Sequence, residues 1–463
     1  MSTATETKPS TGFEVTGIER VPENERAHTQ LWDTMWLWWS ANSVVATVAL
    51  GALSFFFGLG FWGSVAVIVV FNILGVLPVA FLSTLGPKTG LAQMPLTRFS
   101  FGLQGAKLPA IFNALACIGW SAVNVTIGAS LLVTFTGGAL PQWAAFLILA
   151  VITTLVSVFG YFIVHRYERF AWIPMFLLFG YVFVAGASKF HTDVPATVSG
   201  IALFASIATL GGAVFGYAVG WSSYAADYTR RQPVDTPAGQ VFLFAFLGVT
   251  VPCIVLEILG VLLTTTLGAN ATLPDAGTLI GGVIGTGPVA SIVILLLAFS
   301  TIANNVPNDY SFALSLQVLG VRVTRWVLTI VGAILYVVVA LVIQRNFNLN
   351  LEGFLLLIAY WLGAWNAIVL IEHFLRRGNY PVNDYEDGSK LPPGWAAVIS
   401  MVVGLGAAAL GINQASTINY QGPFSVALGG KDFGADIGFP IALVVTAVVY
   451  FILRRIEMAS SKR

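Results

Sequence analysis

Hydrophobic residues in this chain come in long blocks separated by short polar connections. A helix needs about 20 apolar residues to cross the hydrocarbon of a bilayer, and blocks of that length recur from one end to the other. We read twelve spans: Trp32–Phe57, Phe61–Ser83, Leu108–Thr136, Trp143–Val164, Ala171–Ala187, Ile201–Ala226, Val241–Leu267, Val289–Leu319, Trp326–Val342, Phe354–Leu375, Trp395–Leu410 and Phe439–Leu453. Residues 1–30 hold no apolar block and are expected to form a disordered tail. Residues 378–392 read as a loop, residues 393–455 as two accessory helices, and residues 456–463 as a polar tail. The pattern predicts an all-α polytopic membrane protein whose main surroundings are lipid.

Composition sharpens this. The chain is 57% hydrophobic and 9% charged, with a mean hydropathy of +0.84, whereas soluble domains carry about 25% charged residues. A formal net charge of +1 with no basic stripe argues against a nucleic-acid partner. The two cysteines, Cys117 and Cys253, lie in apolar runs and make neither a disulfide framework nor a metal-ligand spacing. No Walker A, HExxH, CxxC or GxSxG pattern occurs, so neither an enzyme nor a resident cofactor is expected. Basic residues divide the connections into two sets. One side carries Lys88, Arg98, Lys107, Arg166, Arg169, Arg230, Arg231, Arg322, Arg325, Arg376, Arg377 and Lys390; the other has only Lys189, Arg345 and Lys431. Basic loops face the cytoplasm, which places both termini there, in a plasma (inner) membrane protein.

Polar groups inside the spans carry the functional reading. Hydrocarbon offers no water, so such groups need partners in protein, cavity water or ligand. The eighth span contains FSTIANNVPNDY (Phe299–Tyr310), with Asn304, Asn305 and Asn308 around Pro307. Proline removes an N–H donor and crowds the preceding turn, and three amides beside it suit a ligand with a hydrogen-bonding edge. Buried asparagine also serves as interhelical glue. The third span contains CIGWSAVN, where Trp120 and Asn124 are i and i+4 and share a helix face. An indole plane beside an amide can hold a flat heterocycle by face and edge. The first span is interrupted by Ser40, Asn42, Ser43 and Thr47, and the sixth by Gly211, Gly212, Gly216 and Gly220 around Trp221. These spans are five apart, as are the third and eighth, which points to inverted repeats over about 31–190 and 200–377. Close packing through small residues is the competing account of the glycines. Glu257 is the clearest charge within a span, a candidate for proton coupling or for a structural pair. Ser300 and Thr301 can offer oxygens to a cation, or bond back to their own helix. Asp227 reads as a gate or a helix-end ion pair, and Asn270–Ala271–Thr272 matches a weak glycosylation pattern.

These motifs resemble one family. GIERVPENER, WSANSVVATVALGAL, GPKTGLAQMPLTRFSFG, GWSAVN, GWSSYAADYTR, IANNVPNDYSFALSLQVLG and RRGNYPVNDY are similar to stretches of the purine–cytosine permeases of nucleobase–cation symporter family one. The resemblance covers nearly the whole chain except the last two spans. It implies a leucine-transporter-type fold, two inverted five-helix repeats plus two extra helices. It implies import of cytosine or purines by symport with Na⁺ or H⁺, the fungal-like NNVPN pattern favouring H⁺. By the resemblance Trp120 and Trp221 sandwich the ring and Asn124 bonds its edge. Asn304, Asn305, Pro307 and Asn308 form a wall, Ser43 or Thr47 adds a polar contact, and a cation would lie near Ser300 and Thr301. A related heterocycle (allantoin, hydantoin, uracil, thiamine or pyridoxine) is the alternative cargo. An uncoupled channel or a receptor is the alternative of another class.

Overall fold

A computed structural model describes residues 17–158, 161–268, 271–321, 323–431 and 433–460. Among them, 8 helices are long and apolar enough to cross a membrane. A further crossing is the bent pair Trp32–Asn42 and Val45–Phe56, whose halves diverge by 56°. Three shorter apolar helices, Gln142–Val158, Trp172–Gly186 and Trp395–Ala408, fall at the remaining expected positions. Large apolar side chains such as Val70, Leu155, Val255, Val342 and Val448 are exposed, a surface suited to acyl chains rather than water. Among the described residues, strand is confined to a short antiparallel pairing, Asn413–Gln414 with Tyr420–Gln421, between the last two spans.

The first span bends because two residues leave the helix: Ser43 (φ −85°, ψ 61°) and Val44 (φ −135°, ψ 160°). The sixth is helical over Gly200–Gly220 and then tightens into a 3₁₀ turn, Trp221–Tyr224. Its glycines therefore do not mark the interruption. A Cβ on Gly216 would sit 2.1 Å from the Leu355 carbonyl oxygen, so that glycine lets the sixth and tenth spans touch backbone to backbone. Gly260 does the same between the seventh and first spans, 2.1 Å from the Val48 oxygen. The third span runs along the eighth, the seventh fits against the first and second, and the tenth lies between the sixth and twelfth. The bent first span reaches the eighth at its break.

Several boundaries differ from expectation. Residues 161–164, assigned by hydropathy to the fourth span, lie in the helix Tyr161–Gly186 with the fifth, while the described helix at the fourth position is Gln142–Val158; the apolar run continues through both, so hydropathy cannot divide them. Residues from Gly17 on are packed rather than disordered. Arg26 donates to the carbonyls of Val21, Pro87 and Thr89 at 2.9, 2.8 and 3.2 Å, and the Val21 N–H meets the Gly90 oxygen at 2.9 Å. A guanidinium satisfying backbone carbonyls holds this segment with few apolar residues, and composition alone reads that as disorder. The polar connection Lys88–Phe101 is likewise folded, with helices Gln93–Leu96 and Arg98–Gly105 and buried Gln93, Thr97 and Arg98. The last helix extends to Ser460 because Arg454 and Glu457 turn inward to polar partners. Residues 1–16, Asn270, Arg322 and the side chains of Arg166, Arg169 and Arg325 lie outside the described part.

Candidate functional site

The break in the first span frees backbone carbonyls deep in the protein, where an unpaired one costs about 1–3 kcal/mol. Side chains take up the load. Thr47 Oγ1 donates to the Asn42 carbonyl at 2.7 Å, and Asn304 Nδ2 of the eighth span donates to the Ala41 carbonyl at 2.7 Å. Asn42 Nδ2 folds back onto the Trp38 carbonyl at 2.8 Å. Its Oδ1 accepts the indole N–H of Trp221 at 2.9 Å and the thiol of Cys253 at 3.3 Å. The first, sixth, seventh and eighth spans thus meet around one kink.

Beside the kink is a small buried cavity, lined by Trp120, Tyr217, Gly220, Trp221, Tyr224, Asn304 and Asn308. Trp120 and Trp221 come from different spans, and both rings are held edge-on. Trp120 meets Tyr217 at 5.3 Å and 87°, and Phe354 at 5.0 Å and 80°; Trp221 meets Tyr224 at 5.5 Å and 79°. Edge-to-face contacts fix the orientation of each ring. Tyr224 OH donates to Asn308 Oδ1 at 2.9 Å, and Tyr217 OH pairs with Thr47 Oγ1 at 2.7 Å. An amide carries two N–H donors and two acceptor lone pairs. Asn304 and Asn308 each spend one donor and one acceptor on protein partners. Each side chain lines the cavity with the rest of its bonding capacity unspent among the described residues. The cavity has room for no more than about one water; a guest ring enters only when the walls move apart.

Of the residues singled out from the sequence, Trp120, Trp221, Asn304 and Asn308 line this cavity. Asn124 stands behind them. Its Nδ2 donates to Asn304 Oδ1 at 2.6 Å and Asn305 Oδ1 at 2.8 Å, which uses both hydrogens, while its Oδ1 is buried without a partner. Asn305 bonds only within the third–eighth span contact, its Nδ2 reaching the Ser121 carbonyl at 3.5 Å, so it acts as glue there. Pro307 leaves the helix Pro288–Val318 intact, and its carbonyl accepts from Tyr228 OH at 3.1 Å. Ser43 sits at the kink, and Thr47 braces Tyr217 from behind. Ser300 and Thr301 donate to their own helix, to Leu297 O at 2.7 Å and Ala298 O at 2.9 Å. Glu257 is away from the cavity, one oxygen bonded to Asn72 Nδ2 at 2.7 Å and the other without a partner. Asp227 accepts from the Gln93 N–H at 2.7 Å and from Ser311 Oγ. Tyr217, Gly220 and Tyr224 escaped the sequence reading as lining residues. Their signal was the spacing: Tyr217, Trp221 and Tyr224 follow at i, i+4 and i+7 along one face.

A family model for permeases of cytosine/purines, uracil, thiamine and allantoin matches residues 20–431. The chain belongs to this family. It is 37% identical over 462 residues to the purine-cytosine permease fcyB of Emericella nidulans, covering 96% of this chain and 89% of that one. The purine-cytosine permease FCY2 of Saccharomyces cerevisiae is 34% identical, with 97% and 87% covered. The vitamin B6 transporter TPN1 of the same yeast is 27% identical, with 96% and 88% covered. Among solved structures, the nucleobase-cation-symport-1 family transporter Mhp1, in a closed conformation with bromovinylhydantoin bound, superposes with a TM-score of 0.77 at 16% identity, with 96% of each chain covered. Inward-facing Mhp1 gives 0.71 at 17% identity. The fold is that of leucine-transporter-type secondary transporters, and the permease family is a family of carriers, not enzymes.

Proposed function

We propose that this permease imports cytosine, purines or both by symport with H⁺, across a plasma (inner) membrane, with both termini in the cytoplasm. The observation that carries the reading is the cavity where two indoles from different spans face two half-used amides, with the first span's kink beside it. Indole faces take a flat ring; Asn304 and Asn308 offer its edge both donors and acceptors. Fungal relatives named as purine-cytosine permeases, at 34–37% identity over nearly the whole chain, support the cargo class. H⁺ rests on likeness to those fungal permeases and on carboxylates within the spans. The hydroxyls of Ser300 and Thr301 donate to backbone yet keep lone pairs, so they do not decide between H⁺ and Na⁺.

Uptake of labelled cytosine, adenine, hypoxanthine, uracil, allantoin and pyridoxine into proteoliposomes tests the reading, with and without Na⁺ and at two pH values. Saturable cytosine or purine uptake driven by an inward proton gradient is expected. Absence of saturable uptake for every flat nitrogen heterocycle would refute it. Uptake that needs Na⁺ instead would refute the choice of ion.

A further inference from the structure

A second pocket, of about 260 Å³, lies at the end of the protein opposite the basic loops. Its walls come from the end of the first span (Phe56, Phe57), the start of the sixth (Ser206, Thr209), the start of the tenth (Glu352, Leu356), whose helix begins before the expected Phe354 and runs Phe347–Leu375, and the 413–434 connection. Exposed Ser416 and Phe433 form its rim. Glu352 is the ionisable side chain among the lining residues, and its carboxylate has no hydrogen-bond or ion-pair partner among the described residues. Ser206 Oγ, on the opposite wall, is buried and also without a partner. A carboxylate on a membrane helix, unpaired and turned toward a cavity, is a group with a use for water or a proton.

We propose that Glu352 is the proton-loading group of this carrier, taking H⁺ from the outer solution before the outer pocket closes. The proposal rests on the orientation and the H⁺ symport given above. Closing the pocket would strip water from Glu352. Ionised, the carboxylate resists that step, since the described lining residues include no cation; neutral, it does not. Proton binding thereby becomes a condition for closure.

The wall is built to pass that condition inward. Gln414 Nε2 donates to the Gly353 carbonyl at 3.0 Å and to Tyr360 OH at 3.4 Å. Tyr360 OH in turn bonds Asp436, whose own N–H donates to Thr209 Oγ1 at 3.0 Å. The outer halves of the sixth and tenth spans are thus strapped together around the pocket. Two residues beyond Glu352, Phe354 meets Trp120, a wall of the central cavity. Asp436 is the charged group that acts on Glu352 from the surrounding elements, and Tyr360 is the other titratable neighbour. The sixth span, the Phe56–Phe57 turn and the rest of the lining contribute hydroxyls, amides and apolar groups only.

Two measurements on the full-length protein decide this. The first needs neither a variant nor a cargo. Dicyclohexylcarbodiimide adds to protonated carboxyls in apolar pockets, and mass spectrometry of the labelled protein in nanodiscs should place an adduct on Glu352 that declines as pH rises. No adduct there, or one independent of pH, overturns the proposal even if the cargo is not a nucleobase. The second uses labelled cytosine in proteoliposomes under an inward proton gradient. Glu352→Gln should abolish accumulation above equilibrium while counterflow exchange stays within about twofold, and Glu352→Asp should keep accumulation. Accumulation by Glu352→Gln with the wild-type proton dependence overturns the proposal. A raised KM with the proton dependence intact also overturns it, and makes Glu352 a cargo contact instead.

Discussion

Asn304 donates to a carbonyl that the kink in the first span leaves free, and the same side chain lines the central cavity. Support of the kink and the proposed contact with cargo therefore fall on one side chain. Asn304→Ala should destabilise the protein by about 1–3 kcal/mol, the usual consequence of orphaning a buried polar group, and should abolish saturable uptake; unfolding in SDS measures the first effect. Trp221 separates two contributions. Trp221→Phe keeps a ring face and loses the N–H bond to Asn42, worth about 0.5–1.5 kcal/mol. Trp221→Ala loses both. Uptake KM should rise by up to about tenfold in the first and further in the second; equal losses would argue against ring stacking. The residue types of the site were legible because lipid tolerates few such groups, so Trp120, Trp221, Asn304 and Asn308 stand out against an apolar background. Which amides face a guest and which face each other was not legible. Asn304, Asn305 and Asn308 are chemically alike, and only the packing of the third span against the eighth turns Asn305 toward Ser121.

Among elements, glycine had two possible meanings in the sixth span, and geometry selects packing. Gly216→Ala would set a methyl 2.1 Å from the Leu355 oxygen and force the sixth and tenth spans apart. Overpacking of this kind costs about 1–3 kcal/mol, visible as earlier unfolding and poorer membrane yield. Gly239→Ala, near the start of the seventh-span helix Ala238–Thr264, meets nothing within 4 Å; it should be neutral or stabilising by up to about 1 kcal/mol. The kink of the first span was foreseeable from Ser40, Asn42, Ser43 and Thr47, since hydroxyls and amides compete with helical hydrogen bonds. The fold of the connection between the last two spans was not, because its anchors are single polar contacts to distant spans. Asp436 is one of them, outside the spans, and burial pushes its carboxyl up to about 6. Ionisation there opposes the fold. Its stabilising contribution is complete below the ordinary carboxylate range and is lost as pH rises through about 6. The protein should therefore unfold at a higher temperature at pH 5 than at pH 7 on account of this residue, and Asp436→Asn should flatten the slope across that window.

At the scale of the molecule, the last two spans looked generic in the sequence, and the family resemblance ended before them. Their role emerges only in three dimensions, because it depends on a charge cluster in which Tyr450 and Arg454 reach Glu372 from 78 and 82 residues away. Glu372 of the tenth span accepts from Arg454 Nε and Nη2 of the twelfth at 2.8 and 2.7 Å, from Arg376 at 2.6 Å and from Tyr450 at 2.8 Å. Arg454 Nη1 also holds Glu457 at 2.7 Å, and the other Glu457 oxygen accepts the Ala396 N–H at 3.2 Å, at the start of the eleventh span. Two arginines balance two glutamates in a buried cluster that joins spans ten, eleven and twelve at the end bearing the basic loops. The tenth span is thereby anchored at that end, while its other half bears Glu352 and Phe354. Arg454→Met would remove the cation that joins Glu372 to Glu457; breaking a buried pair costs up to about 3–5 kcal/mol, and the bonds from Arg376 and Tyr450 to Glu372 place the loss below that ceiling. Arg454→Lys should recover part of it, since an ammonium cannot make the two-pronged contact to Glu372. Because the twelfth span lines no part of the central cavity, protein that survives Arg454→Met should bind cargo with an unchanged Kd and move it more slowly. A weakened Kd at unchanged stability would instead mean that the clamp shapes the cavity directly.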